Sequence, residues 1–136
     1  MQVEVAVVAD YANMAENGKL NVMGMFDRIT APRFPVRHAF MVLALRIRVE
    51  WEDRDKTHRI QITLEDADGK ALGGGEGQVV VGPIPPGERS VLSQILPFAN
   101  IEFPRAGEYR FRISWDGQPK AEVPLTLRLT TPGPIG

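Results

Sequence analysis

The sequence predicts an all-β protein, an antiparallel β-sandwich of about eight strands, and three observations carry that prediction. Apolar residues recur with a period of two along most of the chain. Three pairs that tolerate positive φ, Asn17-Gly18, Asp68-Gly69 and Asp116-Gly117, sit between alternating runs and read as hairpin turns. No amphipathic helix of useful length interrupts the pattern.

The elements follow in order. Val3, Val5 and Val7 alternate with Gln2, Glu4 and Ala6. Met41, Leu43, Leu45, Ile47 and Val49 share one parity, and Arg46, Arg48 and Glu50 share the other. Ile60, Ile62 and Leu64 alternate with Arg59, Gln61, Thr63 and Glu65. Tyr109, Phe111, Ile113 and Trp115 alternate with Arg110, Arg112 and Ser114, and Leu125, Leu127 and Leu129 with Thr126, Arg128 and Thr130. Successive strand side chains point to opposite faces, so each run is expected to have one apolar and one wet face. Val79 to Val81 supplies a further strand, and Val91 to Phe103 one or two more. Ser90 to Phe98 is assigned to strand rather than to a short helix because of Pro97 and its β-branched content. Pro35, Pro97 and Pro124 mark edges or bulges, since proline cannot donate to a ladder. Immunoglobulin-like connectivity is the first expectation and a jelly roll or C2-like arrangement the alternative. Residues 1–136 read as one domain, with no repeat and no linker.

Composition removes several classes of function. The 24% charged residues balance to a formal net charge of −1, which makes no electrostatic case for nucleic acid or an anionic membrane. There is no cysteine, so disulfides, thiolate zinc sites and cysteine nucleophiles are excluded. Glu4 breaks the first apolar run and no stretch approaches a membrane span, so a cytoplasmic setting is expected.

The block Asp10-Tyr11-Ala12-Asn13, then Glu16-Asn17-Gly18-Lys19-Leu20-Asn21-Val22, then Gly24-Met25-Phe26-Asp27-Arg28-Ile29 and Phe34-Pro35, resembles an uncharacterised bacterial family, a domain of unknown function. The resemblance runs from Val3 to about Arg46 and more loosely to the end, and it implies no activity, cofactor or catalytic residue. Phe103-Pro104-Arg105-Ala106-Gly107-Glu108-Tyr109-Arg110-Phe111 is similar to the final hairpin of many immunoglobulin-like domains, which bears on fold alone.

Asp53-Arg54-Asp55 and Asp66-Ala67-Asp68-Gly69 look like calcium loops, but they flank one strand and would lie about 35 Å apart along it. A hairpin turn is the simpler reading of the second loop. A hairpin through Trp51 to Thr57 would set His58 near Glu50 and far from His38, which does not build a zinc site. Neither histidine is placed beside Ser90, Ser93 or Ser114 by any hydrolase motif, and a partly exposed polar role is expected of both. Gly73-Gly74-Gly75-Glu76-Gly77 lacks the Lys and helix of a phosphate loop and reads as a bulged strand junction. Ile84, in the stiff loop Gly82 to Gly87, either projects toward a partner or caps the core.

Two functional readings remain. The first is a non-catalytic protein-binding or assembly module that uses sandwich loops or an edge strand to bind itself or another protein, with Arg46, Arg48, Arg110 and Arg112 as candidate binding residues on its wet faces. If their strands were neighbours, these and Arg59 and Arg128 would form a basic stripe; otherwise they pair with Glu4, Glu50, Glu65 or Glu122. The second is a small-molecule binder or enzyme whose site gathers Asp10, Tyr11, Asn13, Asp27 and Arg28 around the first hairpin. No cofactor, metal or catalytic residue is assigned. Nucleic acid and membrane are disfavoured as partners.

Overall fold

The computed structural model describes residues 1–130, so the last six residues of the expected domain lie outside the described residues. Among the described residues nine strands form: β1 (Gln2–Met14), β2 (Leu20–Met25), β3 (Arg28–Ala31), β4 (Val36–Val49), β5 (Lys56–Asp66), β6 (Ala71–Val81), β7 (Ser90–Phe103), β8 (Gly107–Trp115) and β9 (Gln118–Leu129). One sheet has the order β2-β1-β4-β7 and the other β3-β9-β8-β5-β6. The chain is therefore an all-β sandwich. The three Asx-Gly turns close β1–β2, β5–β6 and β8–β9 as expected, with Gly18, Gly69, Asp116 and Gly117 all at positive φ. In the second turn the Asp66 carboxylate accepts from the Asp68 and Lys70 amides, at 2.9 and 2.8 Å, so this acidic loop caps its own backbone.

The core lies between the sheets. Met41, Leu43, Leu45, Ile47 and Val49 of β4 meet Ile60, Ile62 and Leu64 of β5, Phe111 and Ile113 of β8, and Leu125 and Leu127 of β9. Phe98 packs edge-on to Phe111 with ring centroids 5.1 Å apart. Ile84 is buried in this core, which resolves the alternative left open for the loop.

Connectivity follows from which strands cross between sheets. Trp51 to Asp53, a 3₁₀ turn, carries the chain from β4 in one sheet to β5 in the other, so this link is a crossover rather than a hairpin. The orders β1-β4-β7 and β9-β8-β5-β6 parallel strands A-B-E and G-F-C-C′ of an immunoglobulin sandwich. The Tyr109 hydroxyl, at the start of β8, donates to the Arg105 carbonyl at 2.7 Å and pins the corner between β7 and β8 in the manner of a tyrosine corner. One pairing is parallel: β3 runs alongside β9, Arg28 opposite Thr126 and Ala31 opposite Leu129.

The structure corrects three further expectations. A bulge between Val3 and Val5 shifts the register of β1 against β4. Val8 consequently faces the core, while Val5, Val7 and Ala9 fall on the opposite face, beside Arg46, Ala44 and Val42. Val79 to Val81 is the end of the long β6, whose glycines fall inside the strand beyond a register shift at Leu64/Glu65. Val91 to Phe103 forms one strand, the first of its two alternatives. It pairs with β4 alone, so Pro97 lies in an edge strand as proposed. Asn100, with φ 53, lies where the parity of β7 reverses, and both Phe98 and Phe103 reach the core. The third correction concerns His58, which is buried.

Candidate functional site

The outer face of the β2-β1-β4-β7 sheet is apolar over its middle, with Arg46, Arg48 and Glu4 at one end. Register fixes its members: Met23 opposite Tyr11, Met25 opposite Ala9, Ala9 opposite Val42, Val7 opposite Ala44, and Ala44 opposite Ile95. Met41, Leu43 and Leu45 point to the core, so alternation sends Phe40, Val42 and Ala44 outward. Ala9, Val42 and Ala44 form the floor of a second apolar cluster, separate from the core, with Val7 and Ile95 packed against it. Around this floor stand large exposed side chains: Met25 at 65%, Met23 at 51%, Tyr11 at 48% and Phe40 at 43% of their full exposure, with Val5 and Val91 behind them. A monomer scatters such residues; here they share one sheet face around small alanines.

The candidate arginines divide between the two sheets. Arg46 and Arg48 lie on β4, while Arg59, Arg110, Arg112 and Arg128 lie on the neighbouring strands β5, β8 and β9 of the opposite sheet, so the six do not form one stripe, and Glu65 and Glu122 stand among the second group. The partners of the four candidates are the expected glutamates. Arg46 meets Glu4 at 3.4 Å, Arg48 meets Glu50 at 2.9 Å, Arg110 meets Glu65 at 2.6 Å, and Arg112 meets Glu122 at 3.8 Å. Arg48 also bonds Gln2. Glu65 is buried beneath Arg110 and Arg112, and that bond, together with the field of Glu65, raises the Arg110 pKa further.

The first hairpin builds a different site. Asp10 and Arg28 line one open cleft of 360 Å³ with Gly24, Met25, Phe26, Ile29 and His38. Gly24 has φ +71, and a Cβ there would meet the Asp10 carboxylate at 2.5 Å, so the Asp and Gly of the N-terminal motif are sterically matched. His38 tilts against Phe26, centroids 5.8 Å apart, and its buried Nε2 has no hydrogen-bond partner. Among the described residues neither Asp10 nor Arg28 is in an ion pair. Asp27 borders a neighbouring hollow of 390 Å³ with Phe26, Val123 and Pro124. Tyr11 belongs to the outer sheet face, and Asn13 accepts from the Asn21 side chain at 3.0 Å beyond it. The five candidates of the hairpin are thus split, with Asp10 and Arg28 brought to one cleft.

His58 occupies the far end of the sandwich. It stacks on Trp115 at 4.6 Å. Its Nδ1 donates to the Asp116 carboxylate at 2.6 Å and its Nε2 donates to the Asp53 carbonyl at 2.8 Å. Two acceptors demand two N–H groups, so the ring is held as imidazolium. Burial alone would lower its pKa; the bonds to Asp116 and Asp53 and the charge of both carboxylates outweigh it and raise the pKa above the ordinary histidine value. Asp116 is held below the usual carboxylate range by His58 and by the Arg59 amide at 3.0 Å. Asp53 is desolvated, but bonds from the Glu50 amide and the Met1 ammonium, at 2.8 and 3.1 Å, bring it down as well. Both ring nitrogens are engaged and no serine is bonded to the ring, so this cluster is a clamp between segments, not a nucleophile–base pair.

Among the described residues no group of three His, Cys, Asp or Glu side chains could hold a metal ion, and no helix is long and apolar enough to cross a membrane. Sequence reasoning missed the outer sheet face. Its signal was present in Val5-Ala6-Val7-Val8-Ala9 and Met41-Val42-Leu43-Ala44-Leu45, which are apolar at both parities, as in strands covered on both sides. No curated protein matches the chain. A family model spans nearly all of it, residues 4–128, and the chain accordingly belongs to the family of unknown function DUF6941.

Proposed function

We propose that this chain is a non-catalytic protein-binding or assembly module that works through the outer face of its β2-β1-β4-β7 sheet. The observation that carries the reading is the gathering of Tyr11, Met23, Met25 and Phe40 around the apolar floor Ala9, Val42 and Ala44. Burying such a face removes apolar area from water at about 25 cal/mol per Å². Methionines adapt their shape to an opposing surface, and Tyr11 adds a rigid aromatic body with a polar tip. A cytoplasmic setting, expected from the sequence, belongs to the same reading, and cell fractionation tests it.

The experiment is footprinting at trace concentration. Dilute protein is exposed to hydroxyl radicals in buffer and in host lysate, and modification is read at Tyr11, Met23 and Met25. Protection in lysate, lost in a Tyr11→Glu/Met23→Glu variant, supports the module. Equal modification in both media, together with no self-association at high concentration, would sink it.

A second reading, a small-molecule site, is supported by the cleft that Asp10, Arg28 and His38 share. A thermal-shift screen of amino acids and carboxylates tests it. A ligand that raises the melting temperature of the wild type but not of Arg28→Ala supports the site, and a screen without such a ligand removes it.

A further inference from the structure

We infer that the occupant of the outer sheet face is a second copy of this chain, packed face to face about a twofold axis. This rests on the interaction reading above and names its partner.

Three observations favour a copy over a different protein. The first is size. β1, β4 and β7 at ~4.8 Å over the eight steps from Phe40 to Arg48 at ~3.3 Å, with β2 flanking only the Phe40 end, make a face of about 450 Å² in projection. Two copies then cover about 900 Å² before side-chain relief is counted, close to the lower limit for a specific association. The second is charge. Glu4 and Glu50 answer Arg46 and Arg48 at one end of the face, and Glu102 answers Arg37 at 3.9 Å at the other. The rim is neutral, so a copy meets no like-charge barrier, and nothing in it selects an acidic or a basic partner.

The third is that the edges are poor docking sites while the face is open. β7 carries Pro97 in its middle, which removes a donor that an added strand would need. β2 has six residues and turns away at Gly24, φ +71. Face packing needs none of those backbone groups. Ala9, Val42 and Ala44 are covered, so the contact is made by the exposed Tyr11, Met23, Met25 and Phe40 that stand around them, and in an isologous contact each copy supplies the same set to the other. The product is a four-layer stack with the two β2-β1-β4-β7 sheets at its centre, about 10 Å apart.

Sedimentation equilibrium of the purified chain tests this, run on the wild type, on Tyr11→Glu/Met23→Glu and on Val80→Glu. Both double-variant positions are about half exposed, so the fold should survive, and circular dichroism checks it. Val80, 75% exposed on β6 of the other sheet, is the control. The wild type and Val80→Glu are expected to be dimers, with dissociation in the double variant strengthened by at least about thirtyfold. Concentration-dependent protection of Met23 and Met25 from peroxide provides a readout that needs no variant. A monomeric wild type with no such protection overturns the inference. If those methionines are then protected in lysate at trace concentration, the interaction reading stands with another partner; if they are not, both fall. A dimer that the double variant leaves intact also overturns it.

Discussion

Replacing His58 by Phe tests the clamp at the end of the sandwich. Phenylalanine keeps an aromatic ring against Trp115 and removes both hydrogen bonds, so the change isolates the polar part of the contact. The neutral-acceptor bond to the Asp53 carbonyl contributes about 1 kcal/mol, and the charge-assisted bond to Asp116 about 1–2 kcal/mol, taken low because Asp116 is 48% exposed and water replaces part of it. The sum, about 2–3 kcal/mol, corresponds to a fall of roughly 7–11 °C in melting temperature for a chain of this size. The pH dependence is more diagnostic. The folded pKa of His58 is raised, so its stabilisation is complete below the unfolded value near 6.5 and is lost as pH rises through the folded value. Asp116 and Asp53 are depressed, so theirs is complete above the unfolded value near 3.8 and is lost as pH falls through the folded values. Calorimetric melts across this range should show the wild type most stable in mildly acidic solution. Stability should then decline on the alkaline side, and that decline should be absent in His58→Phe. An alkaline decline of equal size in both proteins, or a variant as stable as the wild type in mild acid, would refute the doubly bonded imidazolium.

Two further outcomes follow from single contacts. Gly24→Ala should lose about 1–2 kcal/mol in chemical denaturation, because a side chain at φ +71 is strained. It should lose more from the 2.5 Å clash with Asp10, and an added Asp10→Ala should recover that second part alone. Tyr109→Phe should cost about 1 kcal/mol by the same assay through loss of the 2.7 Å bond to Arg105, and an unchanged midpoint would remove the corner's structural role.

The fold was legible where local chemistry decides it. Asn17-Gly18, Asp68-Gly69 and Asp116-Gly117 need only their own backbone to form turns, and the inward parity of β4, β5, β8 and β9 needs only the pleat. What was hidden depends on two strands at once. A bulge at Glu4 moves Val5 and Val7 off the core, yet nothing in the Val-Glu-Val run marks an unpaired residue, because the register is set against β4. His58 looked like a strand-end histidine; its burial comes from Trp115 and Asp116, fifty-odd positions away. The candidate arginines found their expected glutamates because those partners lie in adjacent strands or turns. Which sheet each pair decorates was settled by the crossover at Trp51 to Asp53, invisible to periodicity. Asp10, Gly24 and Arg28 were visible as a motif, but His38 comes to them from β4, outside that motif, through its packing against Phe26.

The parallel pairing of β3 with β9 has a consequence for how the protein is made. It joins Arg28 to Thr126, so the third strand made must wait for the ninth before this seam can zip. Until then β1 and β2 can pair locally, while the far sheet lacks the strand that flanks β8. Contacts of such sequence separation place the chain among slow folders, in the millisecond-to-second range. Throughout that interval a nascent chain shows its apolar strands to its neighbours, and the speed at which β4 to β9 are translated sets how long that exposure lasts.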